Sequence, residues 1–597
     1  MDLHNLLVSF LAVLISGVAT GYNHDISLEH TPATDQLLFK LSPRDPESAS
    51  GAFLTMAVDF NHTNPALKRR VKSNLARMYR ETEGAGSPVQ AQDETILLGD
   101  SSFPVNITKG RLFSPRAGHV QDDNCLSFSI ASTANNAPLR TCIRIDDNVN
   151  WFNAFELSYQ YWPMEKMQIH KRPLTPIEFD SQAIAEPYFL NSKGLFLYFS
   201  PNMTAFYSVN SPDPADNAPF GRHFCVYAEM AAPYYRTTNG ANFLNFTACK
   251  YADARAAQMK AVEYFLGKPR DIPDVKMIEH PIWTTWAKYK VDIDENKLLQ
   301  YAQSIKDHGF KASQLEIDDN WEVCYGSAVI NTTRFPNMKR TISQLNSLGF
   351  RTTMWVHPFV NNNCEPYYTR FKEMDILVNN LTHHYGTQWW NSGPLAAGHF
   401  DFSKPEVANW SVLISGVATG YNHDISLEHT PATDQLLFKL SPRDPESMVN
   451  FRLNLILRQS TVVKIDLNSE WTYHVGLPTL ITTLLMMNIA GYPFVMPDMI
   501  GGNVYEGTTC SEEMFIRWTQ ANVFMPILQF SIEPWEYSSK SYDGPSLNRP
   551  HVDLHYAYSG VIVDAMKRAV KDGSPVNPPI WWVDPTDPIA LACDDRK

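Results

Sequence analysis

The chain has 597 residues, of which 44% are hydrophobic, and a formal net charge of −13 at pH 7. A chain of this length can bury roughly two or three domain cores. The acidic charge offers no broad basic face, so we expect no nucleic-acid partner. The composition is that of a multidomain globular protein.

An apolar leader occupies the first 20 residues. Leu6–Ala19 has the sequence LLVSFLAVLISGVA, which is short for a membrane span and ends in small residues. We therefore expect residues 1–20 to be a signal peptide, and the protein to be secreted or luminal. Because Asp2 precedes the leader and no lysine does, an uncleaved membrane anchor is the alternative.

Residues 21–105 form an N-terminal segment that we expect to be partly irregular. Its basic stretch, Lys68–Lys72, fits a solvated face better than a nucleic-acid contact. Over residues 106–250, short alternating apolar runs such as Gly194–Phe199 are separated by Pro, Asn and Gly. That pattern predicts β-strands.

A helical linker is predicted over residues 251–280. Ala254–Phe265 has a helical pattern, and Gly267–Pro269 follows as a boundary. Ile282–Trp286 is then the first strand of a predicted barrel that extends from residue 281 to residue 597.

Two apolar runs in the middle of the chain end in acids and aromatics. Gln314–Ile317 leads into Asp318–Trp321, and Thr352–Val356 leads into His357. Between them, Asn337–Leu348 carries apolar residues three and four apart, which predicts a helix. The order strand, helix, strand implies parallel strands. In a (β/α)8 barrel, functional groups lie at the C-terminal ends of such strands.

Three further apolar runs downstream also carry polar groups. Val462–Asp466 ends in an acid, and Tyr492–Asp498 ends in another. Phe515–Ser531 contributes Arg517 and Gln529, whose side chains suit hydrogen bonds to hydroxyl groups. Such repeated polar ends exceed what unrelated loops would supply.

In order and spacing, these motifs resemble glycoside hydrolase family 31, and within it the branch of the myogenesis-regulating glycosidases. The similar elements are an IDDxW-like element, WVHPFVN, an acid five residues before a Trp, and PDMxGGN, found here at Ile317–Trp321, Trp355–Asn361, Asp466–Trp471 and Pro497–Asn503. The resemblance implies an α/β protein, a TIM-type barrel preceded by an N-terminal β-sandwich at 106–250. It also implies hydrolysis of α-linked O-glycosyl bonds, in an α-galactoside or an α-glucoside, with no cofactor and no metal.

One block interrupts the resemblance. The 36 residues Val13–Ser48 recur without a change as Val412–Ser447. Structural repeats are tandem, numerous and imperfect, which this pair is not. We interpret the second copy, residues 412–447, as an aberrant insert that arose by recent duplication or by an error of sequence assembly.

The insert falls where the family carries its nucleophile. In the family, a strand with a KFDAGE-like motif belongs between Trp410 and Asp466, and this chain has no such motif there. Asp424 and Glu428 lie in the interval, but they belong to the repeat and match nothing in the family. The nucleophile is therefore unknown, and we expect the barrel to be incomplete.

The resemblance implies a retaining mechanism, which requires two carboxyl groups about 5 to 5.5 Å apart. Asp466 is the expected general acid/base. The number of residues between it and Asp498, and the Trp471 that follows it, fit the family's acid/base element better than its nucleophile strand. Losing one of two cooperating groups often costs a factor of about a million. We expect the chain to be nearly inactive.

Seven further side chains are expected to bind the sugar: Asp318, Asp319, Trp355, His357, Asp498, Arg517 and Gln529. Structural alternatives exist for four of them. Asp319 could cap a turn, Trp355 could lie in the barrel core, and His357 could be a buried histidine with its own partners. Arg517 could pair with Glu512 or Glu513 on its own helix.

Sequons and cysteines are typical of an oxidising compartment. Seven Asn-X-Ser/Thr sequons predict glycosylation at Asn61, Asn106, Asn202, Asn245, Asn331, Asn380 and Asn409. The chain has eight cysteines, and no CxxC pair or His-Cys cluster suggests a metal site. Cys324 and Cys364 follow neighbouring strands, so we expect them to pair. For the predicted sandwich we expect the pairs Cys125–Cys142 and Cys225–Cys249.

Near the C-terminus, Pro579–Pro585 resembles a Trp-Trp strand after which family members continue into further β-domains, whereas this chain ends at Lys597. We therefore expect those domains to be missing. Three functions are compatible with the sequence: an α-glycosidase, a non-catalytic carbohydrate-binding or interaction protein, and a damaged gene product that is not stable. The sequence does not define the oligomeric state.

Overall fold

The computed structural model describes the following residues: 24–31, 36–43, 54–59, 95–98, 101–104, 111–113, 122, 124–131, 138–175, 184–211, 221–234, 242–379, 385–402, 404, 407, 423–430, 435–442, 462–463, 467–505, 507–537 and 544–593. For strands before residue 114 and for residues 423–463 it describes the backbone. The chain forms two compact units, residues 1–266 with 578–597, and residues 267–577.

The first unit consists mainly of antiparallel strands. They are β1 (His24–Thr31), β2 (Gln36–Pro43), β3 (Leu54–Asp59), β4 (Thr95–Leu98), β5 (Ser101–Pro104), β6 (Arg111–Phe113), β7 (Cys125–Ala131), β8 (Leu139–Arg144), β9 (Trp151–Phe155), β10 (Ile169–Pro173), β11 (Ala185–Asn191), β12 (Leu195–Phe199), β13 (Ala205–Val209), β14 (His223–Ala228) and β15 (Phe243–Lys250). The helix α1 (Ala254–Ala261) follows and continues into a π-helical turn, Val262–Leu266.

Two antiparallel sheets of the first unit share one hydrophobic core. The larger sheet has the order β6-β7-β15-β12-β11-β9, and the smaller has the order β10-β13-β14-β8. Phe189 and Leu197 of the larger sheet lie in the same buried cluster as Ile143 and Tyr207 of the smaller one. Burial of these side chains from both sheets accounts for much of the stability of this unit.

The disulfides of the first unit differ from the predicted pairs. Cys125 pairs with Cys249, and Cys142 pairs with Cys225. Each bond joins residues that lie directly opposite each other on neighbouring antiparallel strands. The predicted pairs Cys125–Cys142 and Cys225–Cys249 are therefore wrong, because β7 and β8 lie in different sheets. A short sequence separation does not bring two strands of different sheets together.

The second unit alternates strands and helices. In chain order they are α2 (Val275–Glu279), β16 (Ile282–Thr284), α3 (Trp286–Tyr289), α4 (Glu295–Asp307), β17 (Gln314–Ile317), α5 (Met338–Ser347), β18 (Arg351–Met354), β19 (Phe359–Asn361), α6 (Tyr367–Glu373), β20 (Ala397–His399), β21 (His423–Thr430), β22 (Gln435–Pro442), β23 (Val462–Val463), α7 (Leu477–Ile489), β24 (Val495–Met496), α8 (Glu512–Asn522), β25 (Gln529–Phe530) and α9 (Gly544–Asp572).

Six strands of the second unit pair in parallel, within two sheets. Four of them form a parallel sheet in the order β18-β17-β16-β25, and β23 pairs in parallel with β24. The helix predicted between β17 and β18 is confirmed as α5. The Asn337 side chain caps its N-terminus by accepting a hydrogen bond from the Arg340 N–H, and Gly349 follows its C-terminus at a φ of +92°. The C-terminal ends of β16, β17, β18 and β25 therefore lie at one edge of their sheet.

The repeated block forms the same hairpin in both copies. In the first copy β1 pairs with β2, with His24 opposite Pro43, and in the second β21 pairs with β22, with His423 opposite Pro442. In the first copy β2 also pairs with β3. Identical local sequence thus gives identical strand pairing in both parts of the chain.

The C-terminal segment differs from its predicted strand. Ile580–Trp582 is a short 3-10 helix, and a last short helix, α10 (Pro588–Leu591), follows. Residues 578–597, which the sequence assigned to the barrel, belong to the first unit. Trp581 is fully buried there and stacks on Phe152, with ring centroids 5.2 Å apart. Two other 3-10 turns are Met164–Lys166 and Pro534–Tyr537.

Membrane and glycosylation predictions are partly outside the described residues. No helix within the described ranges has the length and apolar character needed to cross a membrane, and the leader Leu6–Ala19 lies outside those ranges. Among the predicted glycosylation residues, Asn202 is exposed, and Asn245 and Asn331 are half-buried. The other four, Asn61, Asn106, Asn380 and Asn409, also lie outside the described residues.

Candidate functional site

A row of polar side chains crosses the parallel sheet. Thr284 of β16 lies opposite Glu316 of β17, and Glu316 lies opposite Thr353 of β18. Residues in register on parallel strands point to the same face, and so do residues two apart along one strand. Asp318 follows Glu316 by two, so both carboxyl groups are on the same face of the sheet.

Asp318 and Glu316 form a coupled carboxyl pair. The Thr284 hydroxyl lies 3.3 Å from a carboxyl oxygen of each. Burial, followed by repulsion from Glu316, raises the pKa of Asp318 well above its ordinary value, and burial raises the pKa of Glu316. Asp318 is therefore the protonated member of the pair, and its O–H donates a hydrogen bond to a carboxyl oxygen of Glu316. The other Asp318 oxygen accepts a 2.7 Å hydrogen bond from the Asp319 N–H.

Asp319 is the polar group of this region that most needs an additional partner. Its side chain is 1% exposed, and neither carboxyl oxygen has a hydrogen bond of normal geometry among the described residues. Burial raises the pKa of Asp319, while the nearby Tyr325 hydroxyl and His357 oppose that shift. A buried carboxyl group whose hydrogen bonds are poorly formed costs free energy that a ligand hydroxyl can recover.

His357 already has a partner at each ring nitrogen. Its Nε2 lies 3.0 Å from a carboxyl oxygen of Glu322, and the Phe359 N–H donates to its Nδ1 at 3.3 Å. Nε2 therefore carries the proton and donates to Glu322. The imidazole ring stacks on Trp389 at 4.5 Å and lies 4.9 Å from the half-buried Trp355. His357 thus has the contacts of the buried-histidine alternative and supports the aromatic side chains beside it.

Glu322 also holds the loop that follows β17. Its second oxygen accepts hydrogen bonds from the Gly326 N–H at 3.0 Å and the Ala328 N–H at 2.7 Å. The predicted disulfide between Cys324 and Cys364 is confirmed, with an S–S distance of 1.98 Å. It ties this loop to the segment after β19. The remaining cysteines, Cys510 and Cys593, are outside the three disulfides.

Trp389 and Trp390 lie in a tight loop before β20. The Ser392 N–H donates to the Trp389 carbonyl at 3.0 Å, which closes a four-residue turn. The Asn361 side chain holds both ends of this pair of tryptophans: its oxygen accepts from Trp389 Nε1 at 2.7 Å, and its amide donates to Asn391 Oδ1 at 3.0 Å. Trp389 is 3% exposed, whereas Trp390 is 53% exposed.

Asp498 connects two loops at the ends of β23 and β24. It is buried at a φ of +71°, and one of its oxygens accepts the Leu467 N–H at 3.1 Å and the Asn503 amide at 2.7 Å. Through these contacts the Asp498 side chain fixes the start of the loop that follows Asp466. Asp466 itself, the expected general acid/base, lies outside the described residues.

A glycine keeps the same two loops close together. Gly502 has a φ of +78°, and a Cβ built on it would lie 2.9 Å from backbone atoms of Asn468 and Ser469. The Ser469 hydroxyl donates to the Gly501 carbonyl at 2.6 Å. The Gly-Gly of the PDMxGGN element therefore permits a close approach of backbones that a side chain would block.

Gln529 and Arg517 occupy different environments. Gln529 is 3% exposed on β25, in register with Ile282 of β16, and its Oε1 has no hydrogen-bond partner among the described residues. Arg517 is on the exposed face of α8, where its guanidinium lies 3.7 Å from Glu513. That ion pair is the alternative expected from the sequence. Because Arg517 is on the exposed face of its helix, the structure does not bring it together with the polar strand ends.

Several residues of this region were not predicted. Glu316 could have been found from its two-residue spacing to Asp318, but it was placed within an apolar run. The other missed groups have no sequence pattern that joins them, because they meet through distant loops: Trp286, Glu322, Tyr325, Trp389, Trp390 and Tyr505.

A model of a known family matches part of the second unit. Residues 281–424 match the family model for the TIM-barrel domain of glycosyl hydrolases family 31. The mouse myogenesis-regulating glycosidase is 28% identical over 494 residues, which cover 76% of this chain and 67% of that protein. A SITS-binding protein from Tetronarce californica is 22% identical over 77% of this chain and 68% of its own length.

Solved structures agree at the level of the fold. A glucosidase II alpha subunit has a TM-score of 0.60 at 10% identity, covering 98% of this chain and 75% of its own. A family 31 sulfoquinovosidase from E. rectale has a TM-score of 0.56 at 13% identity, covering 84% and 83%. The predicted TIM barrel is confirmed by these matches.

Proposed function

We propose that this chain binds the terminal sugar of an α-linked glycoside, an α-galactoside or an α-glucoside, at the polar C-terminal ends of its parallel strands. The match of residues 281–424 to the TIM-barrel domain of glycosyl hydrolases family 31 supports this proposal. The observation that supports this most directly is the buried carboxyl group of Asp319, which lies beside Tyr325 and His357 and whose two oxygens have no hydrogen bond of normal geometry among the described residues. Sugar sites combine these two features, since hydroxyl groups need hydrogen-bond partners and the ring needs an apolar surface.

The proposed sugar contacts have different roles. Asp319 accepts hydrogen bonds from hydroxyl groups, and Trp355 provides a stacking face. Gln529 offers a buried Oε1 at the start of β25, opposite Ile282 and therefore two residues before the level of Thr284. Asp318 contributes a protonated carboxyl group that shares its proton with Glu316. Asp498 and His357 hold the surrounding loops, since their described contacts are with the protein.

The proposed reaction is hydrolysis by a retaining mechanism, with Asp466 as general acid/base. Such a mechanism needs a second carboxylate as nucleophile, and the family motif that would carry it is replaced by the block 412–447. We therefore propose that hydrolysis is strongly impaired. The second candidate function, binding a carbohydrate without turning it over, is favoured by the same block.

Compartment and domain architecture belong to the same proposal. Three disulfides fit a secretory or luminal protein. The common core of the two antiparallel sheets supports a β-sandwich as the N-terminal domain. We propose that a signal peptide or an anchor at residues 1–20 directs the chain to that compartment.

Isothermal titration of the full chain with methyl α-galactopyranoside and methyl α-glucopyranoside tests the proposal. We expect one of them to bind, and Asp319→Asn to weaken that binding by about tenfold to a hundredfold, because the charged acceptor is lost while its shape is retained. Asp564→Asn makes the same chemical change at an exposed position of α9 and is expected to have no effect.

Turnover is measured separately, as release of nitrophenol from the corresponding nitrophenyl α-glycosides. Binding with little or no turnover would agree with the impaired enzyme and with the binding protein alike. If neither sugar binds to the folded chain, or if Asp319→Asn binds as well as the parent, the proposed site is wrong.

A further inference from the structure

We infer that β22 binds an extended segment of another protein at its open edge, where the segment adds a third strand to the hairpin of the second copy. The partner is defined by its chemistry: a short segment with apolar side chains at alternate positions. This inference is independent of the proposed sugar site, because it rests on the strand pairing of the two repeated hairpins.

The repeat contains a hairpin but not the strand that completes its sheet. β2 and β22 both have the sequence QLLFKLSP. The first copy of the repeat ends at Ser48, whereas β3 begins at Leu54. The chain therefore has two identical acceptor strands for one copy of β3.

β2 and β22 differ in their neighbours. β2 is a central strand, with β1 on one side and β3 on the other. β22 pairs with β21 in the register that β2 adopts with β1, but the described strands place no third strand beside it. Such an edge presents unpaired backbone N–H and C=O groups, which can pair with an added strand.

The first copy defines how this edge pairs and which segment fits it. β3 runs antiparallel to β2, and its apolar residues at alternate positions are in register with apolar residues of β2: Met56 is opposite Phe39, and Val58 is opposite Leu37. Because β22 has the same sequence as β2, it offers the same residue types at the same positions. In added strands the backbone supplies affinity, and side chains at alternate positions supply selectivity.

A single lysine does not close the edge of β22. Lys439 is the only charged residue of this strand, and lysine on an edge strand usually opposes further pairing. Its counterpart Lys40, however, lies opposite Thr55 within the pair of β2 and β3. The position is therefore compatible with a third strand.

The test is isothermal titration of the full chain with a synthetic peptide of residues 52–61, which contains β3. We expect one peptide to bind per chain. A peptide with the change Met56→Pro should bind at least about tenfold more weakly, because proline removes a backbone N–H and does not fit the inside of a sheet. A peptide of the same composition in scrambled order is the matched control, and it should also bind at least about tenfold more weakly, because its apolar residues no longer alternate.

The same change in the chain provides a second measurement. In a chain with Met56→Pro, β3 should no longer pair with β2, so the edge of β2 becomes available as well. We expect this chain to bind two peptides, because β2 and β22 have the same sequence.

A change within β22 locates the site. The double change Leu437→Pro and Phe438→Pro should abolish peptide binding, because adjacent residues direct their N–H groups to opposite edges of a strand and both edges are then damaged. Thermal melting checks that each variant of the chain is folded.

Other occupants of the edge predict different results. The segment Leu453–Arg458, LNLILR, follows β22 at the spacing at which β3 follows β2 and lies outside the described residues. If this segment closes the edge, the parent chain binds no peptide. If two chains pair edge to edge, sedimentation shows a dimer that the peptide does not dissociate.

Either result would overturn the inference. So would equal binding of the scrambled peptide, a single peptide bound to the chain with Met56→Pro, or unchanged binding after the double change in β22. The proposed sugar binding stands or falls separately, because none of these measurements involves a sugar.

Discussion

Asp318 and Glu316 place two acidic groups where the sheet can accommodate one negative charge. The raised pKa of Asp318 means that the folded chain keeps a proton that the unfolded chain releases above about pH 3.9. Stability from this group is therefore fully present below that pH, and it is lost as the pH rises through the folded pKa.

Neutralising Glu316 should reduce this pH dependence. In Glu316→Gln the repulsion is removed and an amide can donate to Asp318, so we expect the free energy of unfolding at pH 7 to rise by about 1 kcal/mol. Urea denaturation at several pH values between 4 and 8 measures the effect.

Glu513→Gln provides the comparison, because it removes a carboxylate from an exposed ion pair on α8. Surface pairs of this kind contribute little, so its pH profile should match that of the parent chain. Parallel profiles for the parent and Glu316→Gln would show that the two carboxyl groups are not coupled.

Sequence patterns predicted the residues at the strand ends better than their partners. Asp318 and Asp319 follow an apolar run and Trp355 lies near the end of another, and that position alone indicates a functional face in a barrel. The partnerships of His357 with Glu322 and of Trp390 with Trp286 depend on loop conformations. A loop conformation has no periodicity from which such contacts could be derived.

At the scale of elements, the loops after β23 and β24 depend on how closely their backbones approach. Gly502→Ala should destabilise the chain by about 2 to 4 kcal/mol, because its Cβ would meet the backbone of Asn468 and Ser469 and its φ is positive. The free energy of unfolding in urea measures the change.

Gly507→Ala separates the two causes. Gly507 has nearly the same φ, +76°, but no atom lies within 4 Å of a Cβ built on it. Only conformational strain remains there, so we expect a loss of about 1 kcal/mol. Equal losses for the two variants would mean that the close approach at Gly502 contributes nothing.

The elements themselves were predictable where their patterns are local. The helix α5 has apolar residues at helical spacing, a capping Asn and a terminal Gly, and all three are visible in the sequence. The Pro579–Pro585 strand was predicted by resemblance, yet Ile580–Trp582 is a 3-10 helix, since buried aromatic residues fit either conformation. The two disulfide pairs predicted for the sandwich were wrong for a different reason: disulfide pairing depends on which strands share a sheet.

For the whole molecule, the proposed function implies that the block 412–447 decides between an enzyme and a binding protein. Replacing it with a strand segment that carries a KFDAGE-like motif should raise nitrophenyl α-glycoside turnover by at least about a thousandfold, because the second carboxylate is restored. Nitrophenol release measures this gain.

Two comparisons make the result specific. The same segment with its Asp changed to Asn should give no gain, and Asp466→Asn should abolish turnover in the restored chain while leaving the parent unchanged. A restored chain that is active without Asp466 would contradict its assignment as general acid/base.

The hairpin of the second copy also has a practical consequence. His423 and Pro442 are directly opposite each other, so the first and last residues of the hairpin lie side by side. Insertions are best tolerated where their two ends are close together. A reporter peptide or an affinity tag is therefore best grafted between Thr430 and Gln435, where the two strands of the hairpin would form its stem.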